Sequence, residues 1–412
     1  MREFETRRIK YVANIFNGNS ISDDEKDQYA GFEIPYIPTK EIDAESGIVN
    51  YENGLSVSKS HGFRIAPAES TLMCIEGGSA GRKITQIDRE VAFVNKLCCF
   101  QPCKIEPSFL FFALQSADFL EQFKLNMTGM IGGVSVSALK NISISFPDLC
   151  EQKVISTQLK TYIAKANTLI SNQKAQIEEL KAYKQSLITE VVTKGLDPNV
   201  PMKDSRVEWI GKIPEGWNIK RIKNLFALRN ERNEEADLKK VNLISLYTDL
   251  GVVQHSDLEE TTGNKAVTAE GYKIVHNGDV VVNIILCWMG AVGKSNYDGV
   301  TSPAYDIYQP LNDTNSDYYH YLFRTQRFNG ECYRYGRGIM MMRWRTYSAE
   351  FTSISVPVPS DQEQKQIVEY LNEKCSQIDK LISIKQQKIE KLNQYKKSLI
   401  YEYVTGKKEV VC

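Results

Sequence analysis

The sequence predicts an α+β chain in which one plan is used twice: two mixed α/β globules, each closed by a long helix, related by a pseudo-two-fold internal repeat. Three observations carry the prediction. Residues 147–193 and 359–405 realign at a constant offset of 212 without a gap. Within them, IEELKAYKQSLITEVVT from Ile177 and IEKLNQYKKSLIYEYVT from Ile389 keep Ile, Glu, Leu, Tyr, Lys, Ser, Leu, Ile, Glu, Val and Thr at matching places. Each copy also has the alternating spacing of a coiled-coil seam, whereas the stretches before it are short apolar runs between glycine and proline turns. A duplicated chain has approximate two-fold symmetry, which suits it to a two-part target.

The elements follow in order. The strand predicted at residues 69–75 is mirrored at residues 279–286, each followed by a glycine-bearing turn at Gly78 to Gly81 or Gly290 to Gly293, again at the 212 offset. One short apolar and aromatic helix is predicted next in each half, at residues 108–119 and 318–328, before a glycine-rich passage returns the chain to the repeat.

The long helices have legible starts. Asp148 with Glu151, and Ser360 with Glu363, have capping-box spacing, and Pro147 and Pro359 end the strands before them. The apolar seam runs through Ala166, Ile170, Ile177, Leu180 and Leu187 in the first copy and Ile378, Ile382, Ile389, Leu392 and Leu399 in the second. Gln173 and Lys385, and Lys184 and Lys396, interrupt it at matching places, and polar seam residues fix register, so the helices are read as pairing with each other. A helix of about 44 residues spans roughly 65 Å, more than a duplex turn of about 34 Å, and can act as a spacer. The prolines and glycines after Lys194 predict an ordered linker pinned by Trp209 and Trp217. The chain therefore divides into a globule at residues 1–146, a helix at 147–195, a linker at 196–217, a globule at 218–358, a helix at 359–405 and a tail at 406–412.

Composition excludes several classes. With 42% hydrophobic and 25% charged residues the chain is ordinary globular material, and no run of about 18 apolar residues or secretory leader is seen, which places it in the cytoplasm. Nine scattered cysteines read as reduced thiols. Cys98, Cys99 and Cys103 invite a metal, but the matching stretch of the second half has no cysteine and the chain has four histidines, so no metal site is assigned. The balance of 51 basic and 51 acidic residues argues against a generic polyanion binder. Residues 1–150 carry 15 basic and 19 acidic side chains, and residues 206–359 carry 18 of each.

No catalytic constellation is found. WMGAVGKS, from Trp288, has tryptophan where a phosphate-binding loop needs its first glycine, and a hairpin is the better reading. Asp148, Glu151 and Lys153 resemble a nuclease set, yet Asp148 is replaced by Ser360 in the repeat, an exchange that preserves a cap and destroys a metal ligand. The chain contains no Pro-Pro, and so no adenine-methylase motif of the Asn-Pro-Pro-Tyr kind.

Binding chemistry concentrates between residues 324 and 345, where Arg324, Arg327, Arg334, Arg337, Arg343 and Arg345 face one acid, Glu331. Guanidinium groups take phosphate or the guanine edge in bidentate fashion, and Tyr333, Tyr335 and Trp344 can stack beside them. Gly336 and Gly338 mark an exposed loop. Arg324 and Arg327 are read as helix residues held in salt bridges, which leaves Arg334, Arg337, Arg343 and Arg345 as the favoured DNA contacts. The matching passage of the first half offers Lys124, Asn126, Thr128 and Lys140, with Arg82 and Lys83 on its hairpin and Lys294 on the second hairpin. Equal scaffolds with unlike loops suit an asymmetric target better than a palindrome.

At this point the chain resembles the specificity subunits of type I restriction-modification systems. The resemblance rests on the doubled plan, on the ISISFPDLCEQKVI and ISVPVPSDQEQKQI entries to the helices, on the Tyr-Lys-x-Ser-Leu-Ile helix ends and on the KGLDPNVPMKDSRVEWIGKIPEGW linker. The first half departs from it, lacking the Trp-Ile-Gly and Gly-Trp entry that precedes Arg221, Ile222 and Lys223. The resemblance implies a non-catalytic chain with two target-recognition domains, each reading half of a bipartite double-stranded DNA site, held apart by two antiparallel helices. It also implies docking of two methylation subunits that methylate adenine at N6, and through them restriction subunits that cleave DNA with ATP. S-adenosylmethionine, ATP and Mg are then expected on the partners and no cofactor on this chain. The competing readings are a methyltransferase or nuclease with an unrecognised site, and a two-headed protein-binding adaptor.

Overall fold

The computed structural model describes residues 4–129, 132–257, 268–338 and 344–410. Its contacts divide the chain into two compact units, Met1–Ala175 with Lys385–Cys412, and Gln176–Ile384. Each unit holds one globule, the start of one long helix and the end of the other. No helix among the described residues is long and apolar enough to cross a membrane.

In the first unit, Glu5–Arg8 pairs antiparallel with Ser143–Phe146, the strand that leads into the first long helix. An antiparallel sheet runs in the order Ala13–Asn17, Leu97–Pro102, Thr71–Cys74, Ile84–Gln86. A second sheet runs Ser56–Val57, Ile34–Ile37, Val91–Phe93, Ile65–Ala66. Strand alternation explains why Leu97 to Phe100 are all buried: Cys98 and Phe100 join the core that contains Phe109, Phe119 and the long-helix residues Ile155, Leu159 and Leu399, while Leu97 and Cys99 face the core of the second sheet. Cys98 and Cys99 thus point to opposite faces, and burial pushes the Cys99 thiol up to about 12. Among the described residues seven cysteines are free and Cys150 is disulfide-bonded, which corrects the all-thiol expectation.

The second unit repeats the plan. Asn218–Arg221 pairs with Ser355–Val358, and a sheet runs Phe226–Arg229, Tyr305–Pro310, Val280–Asn283, Val292–Lys294. WMGAVGKS is the turn of that last hairpin, with Gly290 in the left-handed region and no helix after it.

Two expectations are corrected. The short helix predicted in each half is a pair of helices, Pro107–Ala113 and Ala117–Leu125, then Ser316–Phe323 and Gln326–Tyr335. The chain breaks at Ser116 and Thr325, whose hydroxyls accept from the amides of Phe119 and Phe328 at 3.3 Å. A local cap outcompetes helix continuation there, although the apolar pattern runs through the break. The offset is also not constant: Thr71 and Val280 open equivalent strands 209 residues apart, and 212 is restored at Val136–Asn141 and Ser348–Ser353. Three residues are gained between the second short helix and this third one.

The long helices are Leu149–Lys194 and Asp361–Val404, with 46 and 44 residues. At their starts Asp148 accepts from the Glu151 amide at 3.0 Å, and Ser360 and Glu363 cap each other at 3.1 and 3.3 Å. Behind each cap a buried glutamine, Gln152 or Gln364, donates to the carbonyl of Pro147 or Pro359. In the first unit Ile155 and Leu159 pack with Leu399, Ile400 and Val404. In the second, Ile188, Val191 and Val192 pack with Ile367, Leu371 and Cys375. Start meets end both times, so the helices are antiparallel. The polar seam residues supply a matched pair of crossings: Lys184 donates to Asp379 at 2.7 Å, and its repeat mate Lys396 donates to Asn167, the mate of Asp379, at 2.6 Å.

Each long helix ends at a glycine with positive φ, Gly195 at +81° and Gly406 at +71°. A Cβ on Gly195 would lie 3.4 Å from the Trp217 ring, and one on Gly406 would lie 2.9 Å from the Phe4 ring. Phe4 therefore takes the place of Trp217 in the first unit. Trp217 adds what Phe4 cannot, an indole N–H donated to Glu363 at 3.1 Å. Trp209 and Trp217 are both buried, so the linker is pinned as predicted.

Candidate nucleic-acid interface

Several of the predicted contact residues lie on or beside a feature present in both units, a loop pinched at its base by an antiparallel bridge, while Arg82, Lys83 and Lys294 lie on the hairpins and Lys140 in the helix Val136–Asn141. In the second unit the helix Gln326–Tyr335 leads to Arg337, whose amide donates to the Arg345 carbonyl at 2.8 Å while the Arg345 amide returns a bond of 3.0 Å. In the first, Thr128 and Gly133 exchange the same two bonds at 2.8 and 3.0 Å. The exit strand then rests on the hairpin in the same way: the Val134 amide donates to Ile75 and the Thr346 amide to Ile284. Thr128 thus matches Arg337 and Gly133 matches Arg345. The three inserted residues fall between Arg337 and Arg345 in the second unit.

The second loop is braced from below. Tyr333 stacks on Trp344 with ring centroids 4.9 Å apart and an interplanar angle of 22°, and Trp288 meets Tyr333 edge-on at 5.7 Å. The Trp344 indole donates to the Tyr333 carbonyl at 3.0 Å. Gly336 is glycine for a steric reason, since a Cβ there would lie 2.2 Å from the indole nitrogen. Tyr333 and Tyr335 remain partly exposed.

The arginines are not equivalent. Arg334 reaches Glu331 at 3.4 Å and Glu208 at 3.5 Å, and Arg337 pairs with Glu350 at 3.0 Å. Arg345 is exposed and holds no ion pair among the described residues. Arg343 lies outside the described residues. Arg324 is not held in a salt bridge as expected: it caps its helix and donates to the carbonyls of Thr248, Asp249 and Val292. Lys294 is committed to Asp317 at 2.6 Å. Beside it, His320 accepts from the Lys294 amide at 3.2 Å, and burial, aided by the Arg324 charge, pushes its imidazole down to about 4.

In the first unit Lys124 and Asn126 close the helix Ala117–Leu125, at the positions of Tyr333 and Tyr335, and both are exposed. The Asn126 amide donates back to Gln122 at 2.8 Å, capping the helix. Lys140 is exposed in the last turn of Val136–Asn141. On the hairpin, Arg82 bonds the Gly78 carbonyl, and Lys83 donates to the Thr39 carbonyl at 2.9 Å. Lys83 is thereby part of the scaffold, whereas Lys124, Thr128 and Lys140 face outward around the loop.

A constant scaffold presenting two unlike loops defines a duplicated recognition module. Comparison with known proteins gives the family. The model of the type I restriction modification DNA specificity domain matches twice, over residues 1–179 and 214–394. Two proteins of Methanocaldococcus jannaschii are similar: the type I restriction enzyme MjaVIII specificity subunit, 26% identical over 73% of this chain and 69% of its own length, and a putative MjaX specificity subunit, 25% identical over 74% and 68%. Among solved structures, one describing complex assembly and conformational transition of the type I R-M system aligns over 98% of both chains with a TM-score of 0.70 and 13% identity. The HsdS subunit from Thermoanaerobacter tengcongensis aligns over 98% and 97% with 0.51 and 14%. The chain belongs to the type I restriction-modification specificity family, and it is a recognition subunit rather than a catalytic one.

Proposed function

We propose that each unit reads one half of a bipartite, asymmetric DNA target through its pinched loop, and that the paired long helices set the spacer and dock the methylation subunits. The observation that carries this reading is the matched bridge with unlike occupants, Thr128 and Gly133 in one unit, Arg337 and Arg345 in the other. Arg345, exposed and without an ion pair among the described residues, is the leading contact to a base edge or phosphate of the second half-site. Lys124, Thr128 and Lys140 serve the first. S-adenosylmethionine, ATP and Mg belong to partner subunits, restriction subunits join through the methylation subunits, and the complex acts in the cytoplasm. The neutral net charge fits a subunit whose partners supply much of the phosphate neutralisation, so the isolated chain binds DNA weakly.

Charge reversal, Arg345→Glu, tests the reading in the assembled complex. Lost methylation with an intact complex supports it. Unchanged methylation, or loss of a protein partner in place of DNA, favours the adaptor reading.

A further inference from the structure

Outside the reading loops the two units share one more surface. The strands Glu5–Arg8 and Asn218–Arg221 are exposed along nearly their whole length, and each lines a shallow basin. The first, of about 570 Å³, is bounded by Thr6, Arg7, Arg8, Tyr11, Lys104 and Ser143. The second, of about 770 Å³, is bounded by Ile219, Lys220, Arg221, Lys223, Asn224 and Ser355. Equivalent residues stand 213 apart, so Arg7, Arg8 and Lys10 of RRIKY match Lys220, Arg221 and Lys223 of KRIKN.

All three cations persist while the reading loops diverge, and in the first half they persist against a local excess of acids, 19 to 15. Lys220, Arg221, Lys223 and Arg8 hold no ion pair among the described residues, and Arg7 is held by Glu5, whose counterpart is Asn218. Matching cations in both units suit one anionic ligand common to the two. We propose that the two basins grip phosphate groups of the duplex beside each half-site, without reading bases.

Two features favour phosphate over an acidic protein surface. The second basin is lined by polar and charged side chains apart from the half-buried Ile219, and it lacks an exposed aromatic anchor of the kind that protein interfaces bury at their centre, although the first basin has one in Tyr11. Its placement also suits a backbone contact. The amides of Ile9 and Ile222 donate to the carbonyls of Ile142 and Ile354 at 2.9 and 3.0 Å, which ties each basin to the end of the six-residue helix that follows the reading loop. That helix is about 9 Å long, roughly the axial rise of three base pairs at about 3.4 Å each.

This inference rests on the DNA-recognition reading, and its test separates the two. The full chain copurified with its methylation subunits is titrated with labelled duplexes of about 40 base pairs, one carrying the methylated motif and one random, across about 50 to 200 mM salt. The triple variant Lys220→Gln, Arg221→Gln, Lys223→Gln is predicted to weaken both duplexes by the same factor, about tenfold, and to lower the slope of log affinity against log salt by about 1 to 2. Arg8→Gln, Lys10→Gln and Lys104→Gln together give a smaller loss, because Glu5 already offsets charge in the first basin. An unchanged slope overturns the proposal. So does loss of copurification with the slope of the full chain unchanged, which would make the basin a protein-docking surface. If the unmodified complex binds neither duplex, the DNA reading itself fails. Unchanged thermal unfolding of the variants shows that the surface, and not the fold, was altered.

Discussion

The two pinched loops share a backbone frame and differ in the residues that fill it. Both leave a capped short helix, close with a two-bond bridge and exit over the same hairpin carbonyl, yet one bridge is Thr128 with Gly133 and the other Arg337 with Arg345, with three more residues between. The backbone bonds that shape the loop need no particular side chain, so bridge positions can change freely while the loop stays formed. Recognition can therefore diverge without refolding. The same separation holds elsewhere: Trp217 and Phe4 fill one role, as do Asp379 and Asn167, and His320 stands where the first unit has Phe111.

The largest break in this symmetry is expected at the helix-end anchors. Trp217→Ala empties a fully buried site and removes one donor to Glu363, whose carboxyl is held below the ordinary range because bonds from Trp217 and Ser360 outweigh the opposing effect of burial. A loss of about 3–5 kcal/mol is predicted, against roughly half that for the half-buried Phe4→Ala, with denaturant unfolding as the measurement. Next comes acid. His320 titrates near 4 folded against 6.5 as a free group, so the unfolded chain binds a proton that the folded chain refuses. Stability contributed by the neutral ring is complete above 6.5 and is lost as pH falls towards 4, by at most about 3 kcal/mol. His320→Phe, the first unit's solution, should flatten that part of the pH profile in thermal melts.

Smaller effects sharpen the comparison of loops. Arg345→Ala should cost about 1–3 kcal/mol of discrimination at the second half-site, read as methylation rate on matched and mismatched duplexes, with the first half-site unaffected. Arg334→Ala should cost less than about 1 kcal/mol, because its guanidinium is already shared between Glu331 and Glu208. Smallest is Asn167→Asp, which gives Lys396 the carboxylate that Lys184 has. Burial lowers the Lys396 ammonium below its usual range, and the new pair should add up to about 1 kcal/mol at low salt and little at about 1 M.

What was legible in the sequence is what depends on local spacing. Capping boxes at Asp148 and Ser360, the polar interruptions at Lys184 and Lys396 and the pinning tryptophans are set by neighbours a few residues away. The misread elements depend on competition or on distant partners. Residues 108–119 look like one helix because the apolar pattern ignores the caps at Ser116 and Thr325. A single offset hid the three-residue insertion, since it aligned the helices and not the strands. The arginine-rich segment was found, but which arginine is available depends on Glu208 and Glu350, and Glu208 lies more than 100 residues away. The basin cations were visible as RRIKY and KRIKN, yet nothing local marks them as a surface shared by both units.

A map of N6-methyladenine across the source genome, with and without this gene, tests the central claim most directly. Two unlike loops on equal scaffolds predict one asymmetric motif in two parts with a fixed unread spacer, present with the gene and absent without it. A palindromic motif, a contiguous one, or a two-part motif that survives deletion would contradict the account.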